Sequence, residues 1–476
     1  MAQESRKKYL IKNTAIFAVG NMGTRIINFF MVPLYTYVLT TGQYGTINTI
    51  QSACSILVPL IMCNIGEAIR RYLLDKQADE NGILAAEVFW TGFGVVASLV
   101  IFGILSCIPA FSAYAQEMSL YVLTSSLVGT VMEYLRGKEK LTLYTACGLL
   151  QTVIAVGCNF VFLVHFRYGV RGYFWSYILA YTISGLLAFV GGGQIIALRK
   201  ARFKKALFIE MSKYALTLVP NSLLWWVTGA ADKLMITFFI SAAANGIYSV
   251  STKLPTMMAT LNFVLMQAWQ YSAIKESDSQ DRVEYNNKMF RIYMSTLSLV
   301  CAGLLFINRP FMQVYVSDAF RGAWRYCPFL VVASLFSTLG EFVGTSYFVE
   351  KDMKGNLKSA AVGAATNVIL NIILIPSLGV TGAAITTCVS YVVVLIFRLK
   401  DTYKYLPLEA VTTYSMKLLA VIVYMLIVSY IDSLLGILLL GIGVVAIMII
   451  TRKILIEIVT AICGKILRKG RNAPEG

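Results

Sequence analysis

Histidine is almost absent from this chain, with His165 the only one, and charged residues of either sign make up just 14% of it. A histidine-rich zinc site is therefore excluded, and His165, at the end of an apolar run, has no partner in view that would make it a catalytic base. Nine cysteines stand at positions 54, 63, 107, 147, 158, 301, 327, 388 and 463, with no close pair, and all but Cys327 and Cys463 fall inside apolar runs. Such spacing yields neither a disulfide framework nor a metal cluster, so no metal site is expected. Acids are few, 24 against 41 basic residues. No G-x-x-x-x-G-K-[ST] phosphate loop occurs and no soluble domain interrupts the chain, which argues against an ATPase or a glycosyltransferase.

What is abundant is apolar sequence. Hydrophobic residues are 58% of the 476, and mean hydropathy is +0.70. No soluble core absorbs that much, so the chain reads as an all-α polytopic membrane protein. Fourteen apolar runs have spanning length: 11–39, 46–66, 85–108, 119–135, 142–165, 172–197, 214–240, 246–269, 290–307, 328–349, 357–376, 380–399, 411–431 and 433–451. Met1 to Lys12 holds four basic residues but no small-residue cleavage site close behind a short apolar core. The first span is thus expected to stay as an anchor.

Charge sets the orientation. With the N-terminus inside, 32 of the 41 basic residues fall on cytoplasmic segments, and only Arg167, Arg171, Arg309, Arg321 and Arg325 fall outside. The other four, Arg25, Lys233, Lys253 and Lys417, lie deeper within spans, while Lys12, Arg291, Lys358 and Arg398, at span edges, count with the cytoplasmic segments. This is a strong positive-inside bias, and it places both termini in the cytoplasm. It also accounts for the net charge of +17. Basic residues spread over every cytoplasmic loop fit anionic lipid headgroups and not nucleic acid. After Lys453, apolar residues recur at helical spacing before a basic cluster, the pattern of an amphipathic helix on the inner leaflet, with a frayed basic tail as the alternative.

The first span carries Arg25 near its middle, and Asn21, Arg25 and Asn28 share one helical face. A guanidinium at membrane depth costs at least about 3 kcal/mol on insertion scales, so Arg25 is expected to face a wet cavity or a partner helix. Polar stripes recur later. Asn48, Gln51 and Ser55 mark the second span; Asn221, Trp225, Thr228 and Asp232, followed by Lys233, mark the seventh; Ser249, Lys253, Thr256, Thr260 and Gln267 mark the eighth. Lining a cavity is one reading of these stripes, and gluing helices together is the other.

Two short motifs recur at similar offsets. Gly42-Gln-Tyr44-Gly45 follows the first span and Asn245-Gly246-Ile-Tyr248 the seventh, while Gly169-Val-Arg-Gly172 precedes the sixth and Gly379-Val-Thr-Gly382 the twelfth. Spans one to six and seven to twelve therefore read as parallel repeats. The expected organisation is a six-helix bundle over 1–205, a second over 206–405 related to it by pseudo-two-fold symmetry, two additional helices over 406–452, and a cytoplasmic amphipathic tail over 453–476. Spans one, two, seven and eight are the equivalent pairs and are expected to line a common cavity.

The run from Asn367 through Asn371, Pro376 and Gly379-Val-Thr-Gly382 to Thr387 resembles the eleventh-to-twelfth-span signature of polysaccharide (O-antigen type) flippases of the multidrug/oligosaccharidyl-lipid/polysaccharide exporter superfamily. Gly42-Gln-Tyr44-Gly45 and Asp232-Lys233 with Gly246-Ile-Tyr248 agree with it. The resemblance covers essentially the whole chain. It implies a bacterial cell-membrane protein, not an enzyme, that moves an undecaprenyl-pyrophosphate-linked oligosaccharide from the inner to the outer leaflet, with a polysaccharide polymerase and glycosyltransferases as candidate partners. A pyrophosphate asks for charge-assisted donors, which Arg25, Lys233 and Lys253 supply; Asn21, Asn28, Asn48, Asn221 and Trp225 suit sugar hydroxyls and ring faces. Glu341, isolated near the middle of the tenth span, and secondarily Asp232, are the candidate sites for H⁺ or Na⁺ coupling; a structural hydrogen bond from a protonated Glu341 is the alternative. No other cofactor is expected. Alternatives within the superfamily are a multidrug-type antiporter, which would prefer a more acidic cavity, and a flippase for peptidoglycan or teichoic-acid precursors. A membrane polymerase or ligase is poorly served, since the longest outer segment, Asn308 to Cys327, offers only Asp318 and three arginines.

The charge bias makes a direct prediction. Single cysteines introduced at 241–245 are expected to react with an impermeant thiol reagent added outside intact cells, and those at 278–284 to be protected; the reverse pattern inverts the topology.

Overall fold

The computed structural model describes residues 20, 22–75, 77–409 and 412–471. All regular structure among them is helical, as the composition requires. In chain order the helices are α1 (22–38), α2 (Thr41–Met62), α3 (Ile65–Leu73), α4 (Glu80–Cys107), α5 (Pro109–Ser112), α6 (Ala115–Gly137), α7 (Leu141–Asn159, continued by a π-helical turn, Phe160–His165), α8 (Gly169–Gly191), α9 (Gln194–Leu198), α10 (Lys205–Phe239), α11 (Ala242–Ser251), α12 (Lys253–Lys275), α13 (Arg282–Tyr315), α14 (Cys327–Val349), α15 (Met353–Leu378), α16 (Val380–Thr402), α17 (Thr413–Val428) and α18 (Leu434–Arg471). A 3₁₀ segment, Asp318–Arg325, joins α13 to α14.

Nine helices among the described residues are long and apolar enough to cross a membrane: α2, α4, α7 with its π turn, α8, α13 to α16, and α18 as far as Glu457. The other expected spans fall on α1, α6, α10, α11 with α12, and α17. Their mean hydropathy is lowered by polar faces, as in α10 with Glu210, Asp232 and Lys233, or their length is short, as in α17. The eighth span is not one helix. It breaks at Thr252, because Pro255 has no N–H to give and its ring would clash with the carbonyl of Ser251. Pro255 instead sits in the first turn of α12, where helices tolerate it. At the other end of the chain, the expected tail helix is no separate element: α18 runs unbroken to Arg471, with no proline in that stretch to stop it.

Helix packing divides the chain into two compact units. Unit 1 comprises the described residues within Met1–Val250 together with Tyr315–Phe320, and unit 2 those within Ser251–Val314 and Arg321–Gly476. In unit 1, α2 packs on α10, α3 and α4 on α6, and α7 and α8 form a hairpin. The six-residue return is held by Tyr315, whose hydroxyl donates to the Phe29 carbonyl at 2.5 Å and whose ring stacks on Phe29, and by Ser317, which donates to the Thr36 carbonyl. Unit 2 is built on α14, α15 and α16, with α12 against α14 and α17 against α18.

Local chemistry fixes where the helices start. Thr40 and Gln43 form a reciprocal capping box at α2, each side chain accepting the other's backbone N–H at 3.1 Å. Asp79 caps α4 by accepting from the Gly82 N–H, and Lys204 pairs with it at 2.7 Å. The hydrogen bond from Lys204 holds the Asp79 carboxyl below its ordinary range, against the opposing effect of burial.

The recurring Gly-Val-x-Gly motifs do the same work in both units. Gly169 and Gly379 adopt positive φ, +55° and +63°, and so turn the chain tightly into α8 and α16. The second glycine of each motif meets the preceding helix: a side chain at Gly172 would stand 3.2 Å from the Phe162 carbonyl oxygen, and one at Gly382 would collide with the Leu374 carbonyl. A Gly382→Ala substitution is therefore expected to cost about 1–3 kcal/mol through overpacking, read as a lower melting midpoint of the detergent-purified protein. Gly92→Ala, with nothing within 4 Å of the added carbon, is the control and should not lower it. Equal midpoints for the two variants would show that the α15–α16 contact relaxes freely.

Candidate functional site

The polar stripes of α2, α10 and α11 come together in unit 1, and a backbone contact sets their register. A side chain at Gly45 would collide with the Ala242 carbonyl, and one at Gly246 with the Thr41 carbonyl, so the first turns of α2 and α11 meet with nothing between them. The two recurring glycine-tyrosine motifs thus lie against each other. That approach lets Asn245, fully buried, donate to the Gly45 carbonyl at 3.2 Å and to Thr49 Oγ1 at 2.8 Å. Thr49 in turn meets Thr237 Oγ1 of α10 at 2.6 Å. One turn earlier on α10, buried Asp232 accepts the Tyr248 hydroxyl of α11 and its own neighbour's N–H, Lys233 N, at 3.0 Å.

Further along the same helices, Trp226 Nε1 donates to the Ser52 carbonyl and to Ser55 Oγ, at 3.0 and 2.9 Å. Asn64 reaches Ser222 Oγ at 3.0 Å. Gln51 donates to the Tyr173 hydroxyl at 2.8 Å, tying α2 to α8. Each of these bonds satisfies a polar group that lipid cannot, so much of the stripe chemistry is spent on holding the helices together.

The residues singled out from sequence divide by burial. Asn48 is buried and returns its amide to the Tyr44 carbonyl at 2.8 Å. Arg25, Trp225 and Lys233 are half-buried, while Asn28 is exposed on α1. Asn221 is half-buried too, one residue past the Pro220 that interrupts the hydrogen bonding of α10, and its Oδ1 has no partner among the described residues. Asn21 lies outside the described residues. Cations and an unpaired amide acceptor on one unit are the groups that a phosphate and a sugar hydroxyl bond to.

Lys253 and Glu341 belong to unit 2. Lys253 is half-buried at the first position of α12. Glu341 on α14 accepts from Asn262 Nδ2 of α12 at 2.5 Å. Beside it stands a residue that the charge count assigned to the cytoplasmic edge of the twelfth span: Arg398 of α16, only 3% exposed. Arg398 donates to the Gly340 carbonyl at 2.8 Å, to Asn356 Oδ1 at 3.1 Å and to Ser359 Oγ at 3.1 Å, so one guanidinium pins α14 and α15 to α16. Its charge lies within electrostatic reach of Glu341. Glu341 is thus less isolated than its own helix indicates. On α15, Asn371 donates to Asn367 Oδ1 at 2.9 Å, and both residues are buried.

Comparison with known proteins follows this geometry. A family model described as polysaccharide biosynthesis protein matches residues 10–270. Among solved structures, a lipid II flippase MurJ in an inward closed conformation superposes with a TM-score of 0.68 at 13% identity, covering 94% of this chain and all of that one. The MATE multidrug transporter DinF-BH in complex with R6G gives 0.59 at 14% identity, over 85% of this chain and 97% of its own. An inward-facing MATE transporter of the MOP superfamily gives 0.57 at 11%, over 80% and 98%. At such identities the likeness is one of fold, and it spans nearly the full length. Comparison with curated protein sequences gives no match.

Proposed function

The chain belongs to the polysaccharide biosynthesis protein family, and from that premise we propose that it carries a lipid-linked oligosaccharide across the bacterial cell membrane, from the cytoplasmic to the outer leaflet, for cell-surface polysaccharide assembly. The carrier we assign is undecaprenyl pyrophosphate. Alternating access of the two units is the mechanism, both termini are cytoplasmic, and the glycosyltransferases that build the oligosaccharide and the polymerase that consumes it are the functional partners.

The observation that carries this reading is the balance of charge on the polar helix faces. Arg25 and Lys233 are half-buried cations on α1 and α10, and Lys253 is a third on α12, whereas the acid among them, Asp232, is buried and already accepts the Tyr248 hydroxyl. A pyrophosphate gains from such donors in a low-dielectric setting. A cationic drug would be repelled by them. The asparagines of the same faces, Asn21, Asn28, Asn48 and Asn221, with Trp225, are assigned to the saccharide.

Coupling is assigned to Glu341, with Asp232 as the second candidate. A carboxylate held by the Asn262 amide and facing a buried guanidinium changes its surroundings whenever α12, α14 or α16 shifts, which is the condition for H⁺ or Na⁺ to bias the transition.

Two outcomes are expected. Arg25→Ala should lower glycan export by about ten- to a hundred-fold at normal protein abundance, the loss of one or two charge-assisted bonds of about 1.5–3 kcal/mol, and Arg25→Lys should restore only part because it lacks the bidentate fork. Normal export by Arg25→Ala would return Arg25 to a helix-tying role, and export of a peptidoglycan or teichoic-acid precursor in its place would change the cargo. In proteoliposomes, Glu341→Gln should still bind the lipid-linked glycan yet lose acceleration by an imposed ion or pH gradient; a parental response to the gradient removes Glu341 as the coupling site.

A further inference from the structure

The end of unit 1 that the charge bias places outside carries a second polar site that the transport reading leaves unused. Three turns converge there: residues 37–43 between α1 and α2, Ala113 and Tyr114 before α6, and residues 163–171 between α7 and α8. A cavity of about 410 Å³ lies among Tyr37, Gln43, Arg167 and Gly169. A second, of about 230 Å³, shares Gln43, Arg167 and Gly169 with it and adds Tyr168 and Arg171. Together they are large enough to hold a sugar residue and its neighbour.

Arg167 is the centre of the site. Its φ is +54°, a left-handed conformation that costs a residue with a side chain and that persists only where its surroundings enforce it. The side chain is exposed, and its guanidinium makes no ion pair or hydrogen bond with a described residue. Arg171 behaves otherwise: its Nε lies 3.3 Å from buried Glu117 and its other nitrogen donates to the Ala113 carbonyl, so its charge is balanced and its position fixed. Gln43 uses Oε1 in the α2 capping box, which leaves Nε2 as a donor. That amide approaches Gly169 so closely that a side chain there would meet it at 3.0 Å. Gly169 also opens α8, so the positive end of that helix dipole adds to the Arg167 charge. Two aromatic faces flank the groove: Tyr37 and Tyr168 are 67% and 58% exposed, and Tyr168 is held by stacking on Phe166 at 5.4 Å.

We propose that this groove binds an acidic saccharide. A uronic-type carboxylate pairs with the Arg167 guanidinium, the Gln43 amide donates to the same carboxylate or to a ring hydroxyl, and the apolar face of the ring packs on Tyr37 or Tyr168. An unbalanced guanidinium and an amide donor between exposed aromatic rings match a charged sugar better than a phosphatidylglycerol headgroup, which has no ring face to stack. The site lies on the outer side of the protein, so its ligand is a glycan already across the membrane.

Binding is read on the purified full-length protein without transport, so the result stands apart from that of the export assays. Saturation-transfer NMR and calorimetry are run with a glucuronate-containing tetrasaccharide and with neutral maltotetraose. The acidic sugar is expected to bind and the neutral one to bind at least ten-fold more weakly. Arg167→Ala and Gln43→Glu should each weaken acidic-sugar binding at least ten-fold. The second keeps the capping box intact, because glutamate accepts the Thr40 N–H as glutamine does. Arg167→Gly separates binding from folding: it should lose binding while the melting temperature holds or rises, since glycine accepts the left-handed conformation without strain. Unchanged affinity in Arg167→Ala, or equal affinity for the two sugars, overturns the assignment. So does acidic-sugar binding that survives in phosphatidylcholine nanodiscs but vanishes in phosphatidylglycerol ones, which would give the groove to an anionic headgroup.

Discussion

The contact on which unit 1 depends is the meeting of two backbones at Gly45 and Gly246. Lipid supplies no hydrogen-bond partners, so α2, α10 and α11 must satisfy each other, and they can do so only at a separation that their short polar side chains bridge. Asparagine, threonine and serine side chains are short and span no more than one hydrogen-bond length beyond their own helix. With glycine at both positions the helices close to that separation, and Asn245, Thr49 and Thr237 then form a continuous chain of bonds. A single methyl group at either glycine would collide with a carbonyl and open the whole seam.

Unit 2 solves the same problem with a charge in place of a backbone contact. Arg398 donates to a carbonyl on α14 and to two side chains on α15. A buried cation is costly, and the nearby Glu341 carboxylate offsets part of that cost. The two residues therefore constrain one another: whatever neutralises Glu341 leaves Arg398 less compensated, and whatever moves α16 changes the field at Glu341. This is how the acid proposed for coupling and a structural arginine come to share one location.

How much of this was legible in sequence follows from the range of each interaction. Apolar runs and the Gly-Val-x-Gly turns are local patterns, and the structure realises them where the sequence places them. The break before α12 was local too, and Pro255 marks it; a continuous hydropathy window masks a proline whose neighbours are apolar. Arg398 was not legible. It sits at a span end, where basic residues ordinarily reach for the headgroups, and its acceptors lie 39 to 58 residues away in the chain. The same holds for Tyr248, visible as part of a motif but not as the partner of Asp232, and for Arg167, whose importance rests on a backbone angle that no residue pattern announces.

The polar stripes were open to two readings from sequence, cavity lining and helix gluing, and the structure shows that the choice is made residue by residue. A side chain whose donors and acceptors are all used, such as Thr49 or Trp226, adds to cohesion and has little left to offer a ligand. Asn221 lies on the same helix as Trp226, five residues earlier, yet its Oδ1 has no hydrogen-bond partner among the described residues. Bonded and unbonded polar groups are therefore interleaved along one helix. Helices that move relative to each other during a transport cycle would have to exchange some of the first set of bonds, and short hydroxyl and amide side chains, each committing only one or two bonds, keep that exchange inexpensive.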